Sequence, residues 1–191
     1  APIQELRDLT RTRKQLVREI ARHTLRIQKT LEDANLKMTR VVSDLLGTSG
    51  RALLKALIAG ETDPERLADL TKGRLKATRA ELVDALHGRI TAHHRFIINL
   101  HLTQIDALDA AVHALETHLG EVLAPFRSAI SLLTTMPGLS DTAARVIVAE
   151  IGVDMARFPT AGHLVSWAGL CPRLDESAGK RRSTRTRHGA P

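Results

Sequence analysis

Aromatic side chains are nearly missing from this sequence: Phe and Trp make up 2% of its 191 residues, and there is no Tyr. Any core must therefore be built from Leu, Ile, Val and Ala, a composition that favours helices. The single cysteine, Cys171, excludes an internal disulfide framework and a Cys-x-x-Cys metal clamp. It reads as a small buried apolar residue in a reducing cytosol. No apolar run approaches the roughly 18 residues that span a bilayer. The N-terminal Ala-Pro-Ile-Gln-Glu-Leu-Arg lacks the apolar centre of a signal peptide. The expectation is a cytoplasmic protein with no membrane partner. A start at Ala1 rather than Met, and an end at Gly189-Ala-Pro191, read as a piece of something larger.

What is abundant is positive charge: 28 Lys and Arg against 21 Asp and Glu, a formal net charge of +7. That balance suits contact with a polyanion, because the electrostatic attraction to phosphates dominates nonspecific nucleic-acid binding.

From Leu6 to Leu45 apolar residues recur at threes and fours (Leu6, Leu9, Leu16, Ile20, Ile27, Leu31, Ala34, Met38, Val42, Leu45), which predicts one long amphipathic helix. Arg13 and His23 interrupt the stripe at interior spacings, where polar residues set register or partner choice. Gly47-Thr-Ser-Gly50 breaks the helix. A short one over Arg51–Ala59 stops at Gly60, and Asp63-Pro64-Glu65 starts another with a cap and an N1 proline. A helix over Arg74–Leu86 follows, and then a second long one over Arg89–Leu123. Two long helices joined by small ones predict an antiparallel hairpin, a coiled-coil-like arm that also serves as a homo-oligomer contact. His93, His94, His101, His113 and His118 lie on this second helix, but no carboxylate or cysteine completes a ligand set in sequence, so no metal site is expected there.

Ala124-Pro125-Phe126 is the clearest bend, dividing the chain into a helical region over 1–124 and a small helical domain over 125–191. In the second part a helix over Ser128–Thr134 ends at Met136-Pro137-Gly138. Ser140-Asp141-Thr142 caps the next, whose apolar face is Ala144, Ile147, Val148 and Ile151, with Gly152 as its stop. This reads as a helix-hairpin-helix, whose turn aims backbone N–H groups at a DNA phosphate without reading sequence. Pro137, Gly138 and Ser140 are its contact candidates, Ser140 standing where a second glycine is usual. The alternative is a hairpin that only packs two helices. Thr160 caps a further short helix carrying Leu164, Val165 and Trp167, with Trp167 read as core rather than as a base-stacking platform. The fold class is therefore all-α.

The chain closes on a basic run in which Lys180, Arg181, Arg182, Arg185 and Arg187 crowd Ser177. Guanidinium forks grip nonbridging phosphate oxygens bidentately, so this charge can stabilise phosphoryl transfer to a serine hydroxyl. Asp175 and Glu176 would instead repel a phosphate, and no His or Asp lies beside Ser177 in triad order. The alternative is a flexible, solvated tail.

Four segments in order carry a resemblance: Pro-Gly-Leu-Ser-Asp-Thr-Ala-Ala at 137–144, Arg-Phe-Pro-Thr-Ala-Gly-His-Leu at 157–164, Trp-Ala-Gly-Leu-Cys-Pro at 167–172 and Glu-Ser-Ala-Gly-Lys-Arg-Arg-Ser at 176–183. Together they resemble the C-terminal domain of bacterial insertion-sequence transposases of the one-hundred-and-ten, one-sixteen and nine-oh-two group. Upstream, Pro2 to Arg11, Leu31 to Ala34 and Leu46 to Arg51 are similar to that family's linker region. The resemblance implies a parent DNA recombinase. It would have an N-terminal RuvC-like nuclease domain, absent here, whose four acidic residues hold magnesium, and a serine that links covalently to a DNA strand under the direction of a structured guide RNA. Matched to that pattern the serine is Ser177, with Ala178 where many relatives carry Gly. The fragment itself would hold no cofactor and, alone, recombine little or no DNA. It would sit with the nucleoid when bound to DNA. Two other readings stay open: a noncatalytic DNA-binding module, and an interaction protein whose long helices drive oligomerisation.

Overall fold

Why the first helix stops where it does explains much of the architecture. In a computed structural model that describes residues 2–72, 77–171 and 175–183, α1 runs Pro2–Asp33, a full three turns short of the Leu45 that the apolar spacing predicts. Asn35 adopts a left-handed φ of 58°. The Leu36 N–H then donates to the Leu31 carbonyl (2.8 Å) and the Asn35 N–H to the Glu32 carbonyl (2.9 Å). These are the two bonds of a Schellman stop, and the apolar contact that accompanies one is supplied by buried Leu31 and Leu36. Asn tolerates this conformation where most residues do not. Met38, Val42 and Leu45 keep the helical spacing but are buried by a chain that has turned away.

The turned chain forms α2 (Met38–Val41), α3 (Thr48–Ala59), α4 (Pro64–Asp69) and α5 (Arg79–Ala85) before α6 (Ala92–Val122). The local signals match these bounds. Gly60 closes α3 at a φ of 105°, and Asp63 caps α4 by accepting from the Glu65 N–H ahead of Pro64. Thr78 with Glu81 and Thr91 with His94 form reciprocal capping boxes at α5 and α6. Arg74–Leu86 is thus corrected to a shorter helix that starts at its Thr78 cap. Residues 73–76 lie outside the described ones. Gly50, read from the sequence as a helix breaker, lies inside α3. A Cβ there would come within 2.4 Å of the Leu45 carbonyl oxygen and 2.5 Å of that of Asp44, so the entry to α3 folds tightly over a missing side chain. Ser49 fastens the other side, its hydroxyl accepting from the Lys72 N–H (2.9 Å) and donating to the Lys72 carbonyl (3.0 Å).

One apolar core gathers these short helices with the C-terminal part of α1 and the N-terminal half of α6; Ile27, Leu31, Met38, Leu53, Leu54, Leu57, Leu67, Leu86, Ile98 and Ile105 are almost wholly enclosed in it. Beyond it the two long helices run antiparallel, with polar marks fixing their register. Arg13 Nε donates to Glu116 Oε1 at 2.6 Å, and the Nδ1 atoms of His23 and His101 lie 3.1 Å apart. Both interruptions noted in the α1 stripe therefore set the register of the hairpin.

The chain divides into two compact units, one over Glu5–Ala124, the other comprising the segment from Pro125 with the first residues of α1. The second unit holds α7 (Arg127–Thr134), α8 (Asp141–Ile151), α9 (Ala161–Trp167) and a two-stranded antiparallel hairpin, β1 (Asp175–Ser177) with β2 (Lys180–Ser183). Among the described residues this hairpin is the one departure from an all-α chain. No helix among them is long and apolar enough to cross a membrane.

Candidate nucleic-acid interface

The turn between α7 and α8 is built by Met136, Pro137, Gly138 and Leu139. Gly138 takes a φ of 87°, and space is open around it: a Cβ added there would meet nothing within 4 Å. Pro137, Gly138 and Ser140 are all exposed. The Ser140 hydroxyl accepts from the Ala143 N–H at 3.2 Å, so it caps α8 and occupies one of the donors that a phosphate would otherwise take. Asp141, in the first turn, pairs with Arg145 at 2.6 Å. Arg145 is the cation that the sequence reading of this turn left out; its signal was the four-residue spacing from Asp141, which puts the two on one helix face. The buried face of α8 comprises Ala144, Val148 and Ala149, with Ile147 and Ile151 half-buried.

Within the described residues the basic run opens as a strand, β2, rather than as a solvated tail. Ser177 ends β1 and pairs in register with Lys180, while Glu176 pairs with Arg181 and Asp175 with Ser183. The register shifts between Asp175 and Glu176, leaving Arg182 as the extra residue of a bulge. The two-residue connection, Ala178 and Gly179, has positive φ at both positions (52° and 72°), the requirement of a type I′ turn. Directly paired residues of an antiparallel ladder stand on the same face, so Ser177 and Lys180 are brought together, and both are exposed. Arg181 and Arg182 are placed by their backbone in β2; Arg185 and Arg187 lie outside the described residues.

Two sequence expectations in this unit are corrected. Trp167 is 42% exposed and meets Phe158 edge-on with ring centroids 5.9 Å apart, so it is a surface pair member rather than core. Cys171 is exposed, not buried. Apolar neighbours in sequence did not translate into contacts, because α9 has no buried residue at all. Thr160 precedes α9 but makes no cap to its backbone; its hydroxyl bonds the His163 ring at 2.8 Å.

In the other unit, burial first, then the neighbouring His23 ring and the Arg26 guanidinium, hold His101 below the ordinary value of 6.5. Among the described residues no group of three or more His, Cys, Asp or Glu is placed to hold a metal ion.

Comparison with known proteins bears on the same segment. Residues 130–191 match the family described as Transposase IS116/IS110/IS902. An insertion element IS110 protein, described as an uncharacterized 43.6 kDa protein of Streptomyces coelicolor (strain ATCC BAA-471 / A3(2) / M145), is 37% identical over 97 residues. That stretch is 50% of this chain and 20% of the relative, so the match spans about a fifth of the curated relative's length. No solved structure matches the chain. The matched segment, about a third of the chain, contains the α7–α8 turn and the Ser177 hairpin, and it is this segment that is similar to the IS116/IS110/IS902 transposases.

Proposed function

We propose that this chain is part of a DNA transposase in which Ser177 is the nucleophile of strand cleavage and rejoining. The observation that carries the reading is the position of Ser177: exposed at the end of β1, across the ladder from Lys180, within the family-matched segment. In the proposed step the Ser177 oxygen attacks a backbone phosphorus and loses its proton to a base. The P–O bond to the adjoining sugar breaks, and the departing sugar oxygen takes up a proton. Attack by another DNA hydroxyl reverses the sequence and restores the serine. Lys180, Arg181, Arg182, Arg185 and Arg187 supply positive charge where the phosphoryl oxygens accumulate negative charge. The α7–α8 turn, through Pro137, Gly138 and Ser140, acts as a helix-hairpin-helix contact to the DNA backbone, supported by its exposure and by the free space over Gly138. By resemblance, a RuvC-like domain elsewhere in the parent holds magnesium, which assists phosphate hydrolysis when bound, and a structured RNA directs the target.

Covalent trapping tests this reading. Full-length parent protein incubated with element-end DNA and denatured should retain DNA on the polypeptide, and Ser177→Ala should abolish the adduct while leaving DNA binding intact. An undiminished adduct in Ser177→Ala overturns the nucleophile assignment. The isolated 191-residue chain is expected to recombine little or no DNA. A second reading, a noncatalytic binding and oligomerisation module, is favoured by the exposed Phe96 and Leu100, one turn apart on α6. It predicts no adduct in either protein, and self-association that Phe96→Ser weakens.

A further inference from the structure

The charge of the chain is not spread evenly over its long hairpin. On α1, Arg11, Lys14, Arg18, Arg22, Arg26 and Lys29 follow one another at steps of three or four residues. At about 100° per residue they form a single row about 27 Å long. The enclosed Leu6, Ile27 and Leu31 lie on the opposite side of the helix, and enclosed Thr10 flanks the row at its N-terminal end. Lys14, Arg18, Arg22, Arg26 and Lys29 are exposed. Between Leu9 and Leu31 the only acid is Glu19, paired with Arg22. The acids of α6 do not offset the row. Asp106 and Asp109 bind Arg51, Glu116 binds Arg13, and Glu121 lies against His118.

We propose that this face of α1 is a second nucleic-acid contact, which seats on the phosphate backbone of duplex DNA without reading its sequence. Cations repeating every helical turn (about 5.4 Å) along a straight element match a dense line of phosphates. The segment from Arg11 to Lys29 contains no Phe, Tyr or Trp, so it offers no platform on which the bases of a single strand can stack. The B-form major groove admits an α-helix between its phosphate rims, whereas that of A-form RNA is deep and narrow, which favours a DNA duplex. The proposal rests on the nucleic-acid reading of the chain but not on Ser177.

The test is a salt titration of the 191-residue chain against a labelled random-sequence DNA duplex of about 30 base pairs, from about 50 to 200 mM salt. The quadruple variant Lys14→Gln, Arg18→Gln, Arg22→Gln, Arg26→Gln removes four cations with little change in helix propensity. It is expected to bind at least about tenfold more weakly at low salt and to lose about 3 to 4 from the slope of log K against log salt. A control with the same charge change at exposed sites off the row (Lys37, Arg40, Lys55 and Arg89, each to Gln) should keep the slope. Helical circular dichroism checks folding, and the double variant Lys14→Gln, Arg18→Gln should show about half the slope change if the quadruple variant unfolds. An unchanged slope in the row variants, or an equal loss in the control, overturns the proposal. So does tighter, row-dependent binding to an RNA duplex of the same length, which would assign the face to RNA. Ser177→Ala should behave as wild type here, so failure of the row and failure of the serine are told apart.

Discussion

The two long helices of the hairpin are nearly equal in length, 32 residues in α1 and 31 in α6, and they face each other, yet they carry opposite charge. The acids of α6 engage cations brought by its neighbours: Arg51 of α3 reaches both Asp106 and Asp109, and Arg13 of α1 reaches Glu116. The cations of α1 mostly face away from the packed side. The difference separates two uses of charge on one scaffold, holding helices in register and presenting a surface. A second contrast crosses the first. At the α2–α5 end both helices enter a continuous apolar core, whereas from Arg11 to Arg26 of α1 no residue is fully buried, and none is from Asp106 to His118 of α6.

The largest test of this contrast compares truncations along the hairpin. Leu54→Ala or Ile98→Ala, at wholly enclosed positions, should cost about 2–5 kcal/mol in urea unfolding. Leu16→Ala, on the half-buried shaft, should cost no more than about 1 kcal/mol. Equal costs would mean that the shaft is as well supported as the packed end. Gly50→Ala should cost about 1–3 kcal/mol, because its new methyl meets backbone oxygens that cannot swing away. A neutral result would show that the entry to α3 yields easily.

Charge changes come next. Arg51→Met leaves Asp106 and Asp109 on α6 without their shared partner and should destabilise by about 1 kcal/mol, since all three groups are partly solvated. Arg13→Met should cost a few tenths of a kcal/mol, reflecting one ion pair on the shaft. A reversed order would make the shaft pair the stronger fastening. A smaller effect is expected from the His23–His101 pair. Because the folded state holds His101 below 6.5, the unfolded chain binds the proton first as pH falls. Its contribution is complete above about pH 6.5 and is lost as pH drops through the folded pKa, so His101→Asn should flatten the stability profile between pH 7 and 5. A profile that stays as steep in His101→Asn would place the titration elsewhere.

Much of the helical fold was legible because its punctuation is local. Gly60, Asp63-Pro64 and Ser140 act where the sequence puts them, and the period of α6 carries its full length. The end of α1 was not legible, since apolar spacing continues through Ala34, Met38 and Val42 while the stop depends on Asn35 accepting a left-handed backbone. Gly50 misled for a related reason: its missing side chain serves a close approach inside a helix, which resembles a helix breaker in sequence. At the candidate site, Ser177 and its cations were marked by residue type, but the hairpin that pairs Ser177 with Lys180 was hidden. Its strands are short and polar and show no apolar alternation. Trp167 and Cys171 were misplaced inside because burial depends on contacts that a sequence window does not contain.

The corner formed by Ala178 and Gly179 has no slack. In a ladder with a two-residue period, adding or deleting one residue there would carry the hydroxyl to the opposite side of the ribbon from its lysine neighbour. A side chain that resists a positive φ would strain this tip, and a change in its length would part Ser177 from Lys180.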